Sequence, residues 1–521
     1  MFTHLYRQSI SYALASVLLG NTLFAEAIVV DEAAPLFNQP QMDVTANGIP
    51  LVNIVTPGVN GLSHNKFSAF SIEQKGVILN NATNAVQTQL GGWVQGNANL
   101  GTTPARVILN EVTGTNRSLL QGYAEVAGHR ADLIIANPNG ITVNGGGFIN
   151  TARATLTTGM PQISGNTLSG FYVRHGDISI EGDGLNASNI DRVDLYTKAL
   201  RLNAEIHAKK LDVVTGQNSI ALDGTVVADE VVGNAEFSID SGALGGIYGE
   251  MIRLVGTDKG VGINLPPIAY AGDSLELTAD GEIVIATAIA EHSLRSQSSE
   301  LIVNKKMYAG NIDVEVSDAM RNKGAIIADT LNISGGDIVN DGGIIGTDTF
   351  LAHTRQMTNN GVLYSAKKID IAASDLLLNA EGAYIVSGGD IIIYDSGTVR
   401  NEAATIDAQQ DLSIDALSLE NFSTNVPDKS SVTSSISITD YFAPEFRDHR
   451  TTTTTIEAID KTGFSPAYIM SGNDMMIDAA IHNRYSMISA NRDLYLSGSL
   501  NNEAADNAHE IIDISHYVEH W

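Results

Sequence analysis

The sequence predicts an all-β chain wound as a parallel β-helix, with one insertion that leaves the coil. Three observations predict it. Short runs of Ile, Val and Leu alternate with Asn, Gly, Asp and Thr, as in Arg106-Val107-Ile108-Leu109-Asn110 and Asp132-Leu133-Ile134-Ile135-Ala136. Beyond Ala27 no segment sustains the apolar period of a helix, which favours strands. In the second half an Asn marker returns with a period of about 20 residues, the length of one turn of a solenoid.

Composition agrees with such a core. Of 521 residues, 43% are hydrophobic and only 17% charged, so disorder is excluded and a large interior can form. The balance of 30 basic against 59 acidic residues, net −29, excludes nucleic acid as a partner, because neutralising phosphates needs clustered Lys and Arg. There is no Cys. A chain exported unfolded is better without disulfides, and the start of the sequence points to export.

Residues 1–27 read as a signal peptide. Arg7 precedes a mostly apolar stretch from Ile10 to Leu19. Ala25-Glu26-Ala27 supplies the small residues of a cleavage site, which predicts a mature chain starting at Ile28. The apolar run is too short to span a bilayer as a stable helix.

From about residue 320 the strands fall into a repeat. Its markers are Asn322, Asn340, Asn359, Asn379, Asn401 and Asn421, at successive intervals of 18, 19, 20, 22 and 20. Asn483 and Asn501 resume the series at a like interval. Between markers recurs an Asp followed by a short strand, as at Asp390-Ile391-Ile392-Ile393 and Asp411-Leu412-Ser413-Ile414. A period near 20 with two or three strands is that of a β-helical coil. Each coil is expected to turn where Asn or Gly adopts a positive φ, with stacked Asn amides bonded along a ladder. At about 20 residues per coil, the chain beyond Ala27 has room for roughly 25 coils, less any insertion. Stacked β-sandwiches explain the strands but not the Asn spacing. The repeats are assigned to residues 281–422 and, with a C-terminal tail, 466–521.

Residues 423–465 break the pattern. They hold Ser430-Ser431-Val432-Thr433-Ser434-Ser435 and a run of threonines, Thr451 to Thr455. The Thr run has high β propensity and predicts a hairpin outside the coil; a loop is the alternative.

The N-terminal segments carry a resemblance. In order they are Gly61-Leu62-Ser63-His64-Asn65-Lys66-Phe67, Leu79-Asn80-Asn81-Ala82, Gln87-Thr88-Gln89-Leu90-Gly91-Gly92, Val107-Ile108-Leu109-Asn110-Glu111-Val112 and Gly122-Tyr123-Ala124-Glu125-Val126. Then come Ile135-Ala136-Asn137-Pro138-Asn139-Gly140-Ile141, Gly147-Phe148-Ile149-Asn150-Thr151 and Thr155-Leu156-Thr157-Thr158-Gly159. This series resembles the secretion domain of filamentous haemagglutinins, related haemolysins and contact-dependent growth inhibition exoproteins. The resemblance implies a right-handed β-helix over residues 28–280, a haemagglutination activity domain. It implies a partner outer-membrane barrel whose periplasmic domains recognise the chain. It also implies a secreted or cell-surface location, reached through the periplasm of a Gram-negative bacterium.

Within the resemblance the secretion motifs are Asn137, Pro138, Asn139, Gly140 and Ile141, and a first motif at Asn97, Asn99 and Leu100. The family's first motif reads Asn-Pro-Asn-Leu, whereas Ala98 stands in place of Pro here. Losing the fixed φ of Pro predicts a looser turn. Where some relatives carry a Cys pair, Val143 and Gly146 stand here, so no disulfide can form. Asn-Pro-Asn-Gly reads equally as a type I turn, so structural and recognition roles both stand open.

No chemistry competes with this reading. The sequence has no Cys nucleophile, no Gly-x-Ser-x-Gly elbow, no His-Glu-x-x-His and no phosphate-binding loop. His64, His129, His175 and His207 are scattered. Asp513, His516 and His520 read as an exposed terminus rather than a metal site. Glu181, Asp183, Asp337, Asp341 and Asp348 are carboxylates of the kind glycosidases pair, but they fall in turns where Asp is ordinary. The expectation is an adhesin without catalytic residues, metal or cofactor, which binds a receptor on a host or neighbouring cell. The alternative is a truncated contact-dependent growth inhibition stalk that lacks its toxin domain.

Overall fold

The computed structural model describes residues 27–520, except 230, 426–428, 444–445, 460–463 and 504–509, and the side chains of 426–463 and 504–521 are not described. The chain forms two compact units, residues 1–271 and 272–521. Each is a right-handed parallel β-helix.

The first unit is three-sided. One face stacks in parallel register the strands Leu62–Phe70, Val107–Val112, Ala131–Ala136, Thr151–Thr157, Arg192–Thr197, Lys210–Thr215 and part of Gly246–Gly256. A second runs from Pro50–Asn53 and Val77–Asn81 through Tyr123–Gly128 to Glu205–Ala208. A third runs from Ser118–Leu120 and Ile141–Val143 through Asp177–Ile180 to Gly262–Asn264. Ile108, Val126, Ile141, Ile178, Leu195 and Val213 fill the interior with essentially no exposure. Fully burying such a side chain contributes about 2 kcal/mol.

This unit also carries structure outside the coil. Met160–Ser164, Thr167–Val173, Asn218–Ala221 and Val226–Ala228 form a four-stranded antiparallel sheet. It packs Leu168, Phe171 and Ile220 onto the outer side of the first face, against Leu62, Ile134 and Tyr196, as a second core. Coils are therefore fewer than chain length alone predicts, because insertions between coils consume chain.

The second unit keeps the predicted period. Coils repeat Ala325–Asn340, Gly343–Asn359, Val362–Asn379, Tyr384–Glu402 and Thr405–Phe422 in continuous parallel register. The Asn ladder is continuous. Asn322 donates its amide to the Asn340 side-chain oxygen at 2.7 Å, and the same bond joins Asn340–Asn359, Asn359–Asn379, Asn379–Asn401 and Asn401–Asn421 at 2.8–2.9 Å. The second amide hydrogen binds a backbone carbonyl of the adjoining coil, for instance Tyr384 from Asn359 and Thr405 from Asn379.

Two expectations need correction. None of the ladder asparagines has a positive φ. Asn is selected there for an amide that can donate twice and accept once in a fully buried place, rather than for a left-handed backbone. The last rung is Asn502, not Asn501: Asn483 donates to Asn502 at 2.7 Å, and Asn501 pairs across from His482. Leu500 stacks on Ile481, so the next position on the same side of the strand is Asn502.

Between the rungs Asn421 and Asn483 the backbone of Lys429–Ala443 and Phe446–Ile459 forms an antiparallel hairpin. Glu510–His520 adds to its second strand as a separate sheet. The ladder closes beneath it, Asn421 to Asn483, at 2.8 Å.

Candidate functional site

Both Asn motifs are built by one device. The first Asn is buried, its oxygen caps the N–H of the second Asn, and its NH2 holds acceptors of the surrounding coils. Asn97 accepts from Asn99 N–H at 3.0 Å and donates to the carbonyls of Ile54 and Asn80 at 2.9 and 3.0 Å. Asn137 accepts from Asn139 N–H at 3.0 Å and donates to the Asn116 carbonyl and Ser118 Oγ, both at 2.9 Å. In each case a short polar side chain replaces a hydrogen bond that the turn denies the backbone.

Residues after the first Asn face different ways. Leu100 and Ile141 are buried, while Ala98 and Asn139 are exposed and Pro138 half-buried. Asn139 donates to the Gly114 carbonyl at 2.8 Å. The loss of Pro has not opened the first turn. Ala98–Leu100 is a 3-10 turn capped by Asn97, whose φ of −76° and ψ of 113° are those a residue before Pro would hold. The cap supplies the order that the sequence lacks at position 98.

Gly140 has a φ of +107°, and a Cβ there would stand 2.4 Å from Arg117 Nη1. Arg117 clamps the motif. It donates to both carboxylate oxygens of Asp177 at 2.8 Å, to Thr142 Oγ1 at 2.6 Å and to the Ile141 carbonyl at 2.9 Å. The hydrogen bonds from Arg117 hold the Asp177 carboxyl below the usual carboxylate range. Sequence reasoning missed Arg117 and Asp177, which lie far apart in the chain and in no recognisable pattern. Among the described residues no hydrogen bond joins the two motifs to each other. Ala27 is the first described residue, and Ala25 lies outside the described residues, as do the side chains of Asp513, His516 and His520.

A buried ionic network lies on the first face. Thr155, Asp194, Asp212 and Arg253 stack in register, with Arg153 beside Arg192. Asp194, with no exposure, accepts from Arg153, from Arg192 at 2.5 Å and from Thr155 at 3.0 Å. Asp212 accepts from Arg192 at 2.7 Å, Arg253 at 2.9 Å and the Tyr196 hydroxyl at 3.3 Å. Burial, then the two carboxylates, push the Tyr196 hydroxyl far up, so it remains a donor. Under the outer sheet a cleft of about 440 Å³ opens beside the network, lined by Leu62, Arg106, Asp132, Arg153 and Leu222. Burial raises the Asp132 carboxyl.

Of the candidate carboxylates, three lie in the second unit and are ion-paired: Asp337 with Arg355 at 2.6 Å, Asp341 with Arg321 at 2.8 Å and Asp348 with Lys367 at 2.6 Å. Glu181 and Asp183 are exposed. His64 bonds Glu111 at 2.6 Å, His175 the Pro138 carbonyl at 3.1 Å and His207 Glu205 at 2.9 Å, while His129 is exposed. Among the described residues no group of three or more His, Asp and Glu could hold a metal.

Residues 27–285 match the family profile of the TPS secretion domain. The chain belongs to the two-partner secretion exoproteins. This exoprotein is 39% identical over 386 residues to the 16S rRNA endonuclease CdiA of Enterobacter cloacae, covering 73% of the chain and 11% of that protein. It is 36% identical over 378 residues to the Toxin CdiA of Escherichia coli, covering 70% and 12%. It thus spans only a small fraction of the length of these relatives. A filamentous hemagglutinin secretion domain of known crystal structure is 30% identical, covering 59% of this exoprotein and 97% of that chain, with a TM-score of 0.44. The exoprotein is secreted or displayed at the surface of a Gram-negative bacterium, and its secretion domain implies a partner outer-membrane transporter.

Proposed function

We propose that the exported chain acts as an adhesin, with residues 28–280 read by the periplasmic domains of its transporter and residues 281–521 presenting the binding surface. The observation that carries the adhesive role is the hairpin at residues 429–459. It leaves the coil while the Asn421–Asn483 rung closes beneath it, so a contact element is displayed without cost to the stack. The ligand is a receptor on a host or neighbouring cell.

Asn139, exposed beside half-buried Pro138, is the residue of the second motif that a transporter would touch, while Asn97 and Asn137 hold the turns in place. Signal cleavage after Ala27 leaves Ile28 as the first residue. A second reading, the stalk of a contact-dependent inhibition exoprotein, is favoured by the CdiA relatives.

The test is export with and without the partner barrel, scored by N-terminal sequencing of protein in the medium. Barrel-dependent secretion starting at Ile28 supports the reading, and retention in the periplasm despite the barrel defeats it. Replacing residues 429–459 with a short turn is expected to preserve export and abolish binding to whole cells. Unchanged binding would remove the adhesive role from the hairpin.

A further inference from the structure

One outward face of the second unit is unlike its neighbours. Ile289, Tyr308, Ile327, Ile345, Tyr364 and Val386 stack in strict register on successive coils and point out of the helix. Tyr308 and Tyr364 are 41% and 37% exposed. The column beside them is small at its centre, Ala325 and Gly343, and runs on through exposed Val362 and Tyr384 to Thr405. On the adjacent face the corresponding outward column reads Asp313, Asn332, Leu351, Asp370 and Ile392, which is a mixed, solvated surface.

We infer that this apolar face, with Lys305, Lys306 and Lys323 at its border, rests on the surface of a lipid bilayer bearing anionic headgroups. Size argues first. About six coils at about 4.8 Å and two outward columns about 7 Å apart give a face of roughly 200 Å². A stable dimer buries about 800 Å² per partner, so a second copy is poorly matched. Chemistry argues next. The aliphatic members offer no donors or acceptors, which a glycan requires and a bilayer does not. Tyr and Lys flanking aliphatic side chains are the residues that settle at a membrane interface, ring or stem in the apolar layer and polar tip outside it.

Charge argues last. The chain carries −29, yet these lysines gather at one border of the face; the carboxylate beside them, Asp341, feels the Lys323 charge but is bound by Arg321 at 2.8 Å. Lys306 Nζ lies 4.9 Å over the Tyr308 ring. Basic groups beside an apolar surface draw it to anionic leaflets. Asp329 lies at the other border, and Asp407 interrupts the apolar column between Val386 and Met470.

The test uses the purified, secreted full chain and co-sedimentation with vesicles of phosphatidylcholine, alone or mixed with phosphatidylglycerol. Binding to the mixed vesicles is expected. The double substitution Ile327→Ser with Ile345→Ser should weaken it by about tenfold or more. Lys305→Glu with Lys306→Glu should weaken binding to the mixed vesicles alone. Asp407→Asn, which lengthens the uncharged column, should strengthen binding. Unchanged thermal melting of each variant shows that the coil is intact. No binding by the parent chain, or equal binding by the Ile327→Ser, Ile345→Ser variant, overturns the inference. So does self-association in analytical ultracentrifugation that the same variant abolishes, which would make the face an interface between copies.

Discussion

The two units hold the same kind of coil in different ways. In the second, one residue type at one position does the work repeatedly: each ladder Asn joins its neighbour and the adjoining coil, and every rung resembles the next. In the first, each coil has its own solution. Asn97 and Asn137 cap turns, Arg117 clamps Asp177, and a sheet outside the coil seals a network of arginines and aspartates. Repetition makes a stack that tolerates a hairpin inserted between the rungs Asn421 and Asn483. Singular contacts make a unit in which particular residues cannot be exchanged.

The sharpest way to break that contrast is Asp194→Ala. It leaves Arg153 and Arg192 without their shared carboxylate, and removing one partner of a buried ion pair costs about 3 kcal/mol. Hydrogen exchange should show opening confined to residues 151–256. Uniform loosening of both units would mean that the first is no more idiosyncratic than the second.

Asn379→Ala comes next, at about 2 kcal/mol, because it strands the Asn401 side-chain oxygen, one Asn359 donor and the Thr405 carbonyl in the interior. The effect should recur at Asn359→Ala with similar size, as thermal melts of the two variants would show. A large difference between them would end the description of the ladder as equivalent rungs.

A smaller effect is expected from acid. The Asp177 carboxyl is depressed in the folded chain, chiefly by its hydrogen bonds from Arg117. Its contribution to stability is therefore complete above the ordinary carboxylate pKa, about 4, and is lost as pH falls through the lower folded value. Melts of the parent and Asp177→Asn chains should differ near neutrality and converge as the pH falls below the ordinary carboxylate range. A gap that widens in acid would reverse the assignment.

The smallest is Ala98→Pro. Position 98 is the first residue of its 3-10 turn, and Asn97 already holds an extended conformation. Pro should fit and stabilise by about 0.5 kcal/mol, through the unfolded chain. A loss of stability would show that the two motifs are less alike than their caps suggest.

What was legible in the sequence follows the same division. The Asn spacing disclosed the second unit, since a residue that must meet its own kind on each coil leaves a period. It could not show that these asparagines have ordinary φ values, nor that Asn502 rather than Asn501 ends the series. Both depend on which side chains turn inward. In the first unit, motif order disclosed the family and the two Asn turns. Arg117, Asp177 and the Asp194 network were illegible, because their partners are set by which strand lies above which. A column such as Thr155, Asp194, Asp212 and Arg253 has no spacing of its own, since the insertions between coils vary in length.

The ladder also has a direction. Every Asn amide points its hydrogens toward the coil that follows it in the chain and offers its oxygen to the coil before. A stack cut at any coil therefore presents amide N–H donors on its C-terminal side and an amide oxygen on its N-terminal side. The two ends of the row are thus unlike, donor at one and acceptor at the other, because each amide uses its nitrogen forward and its oxygen backward.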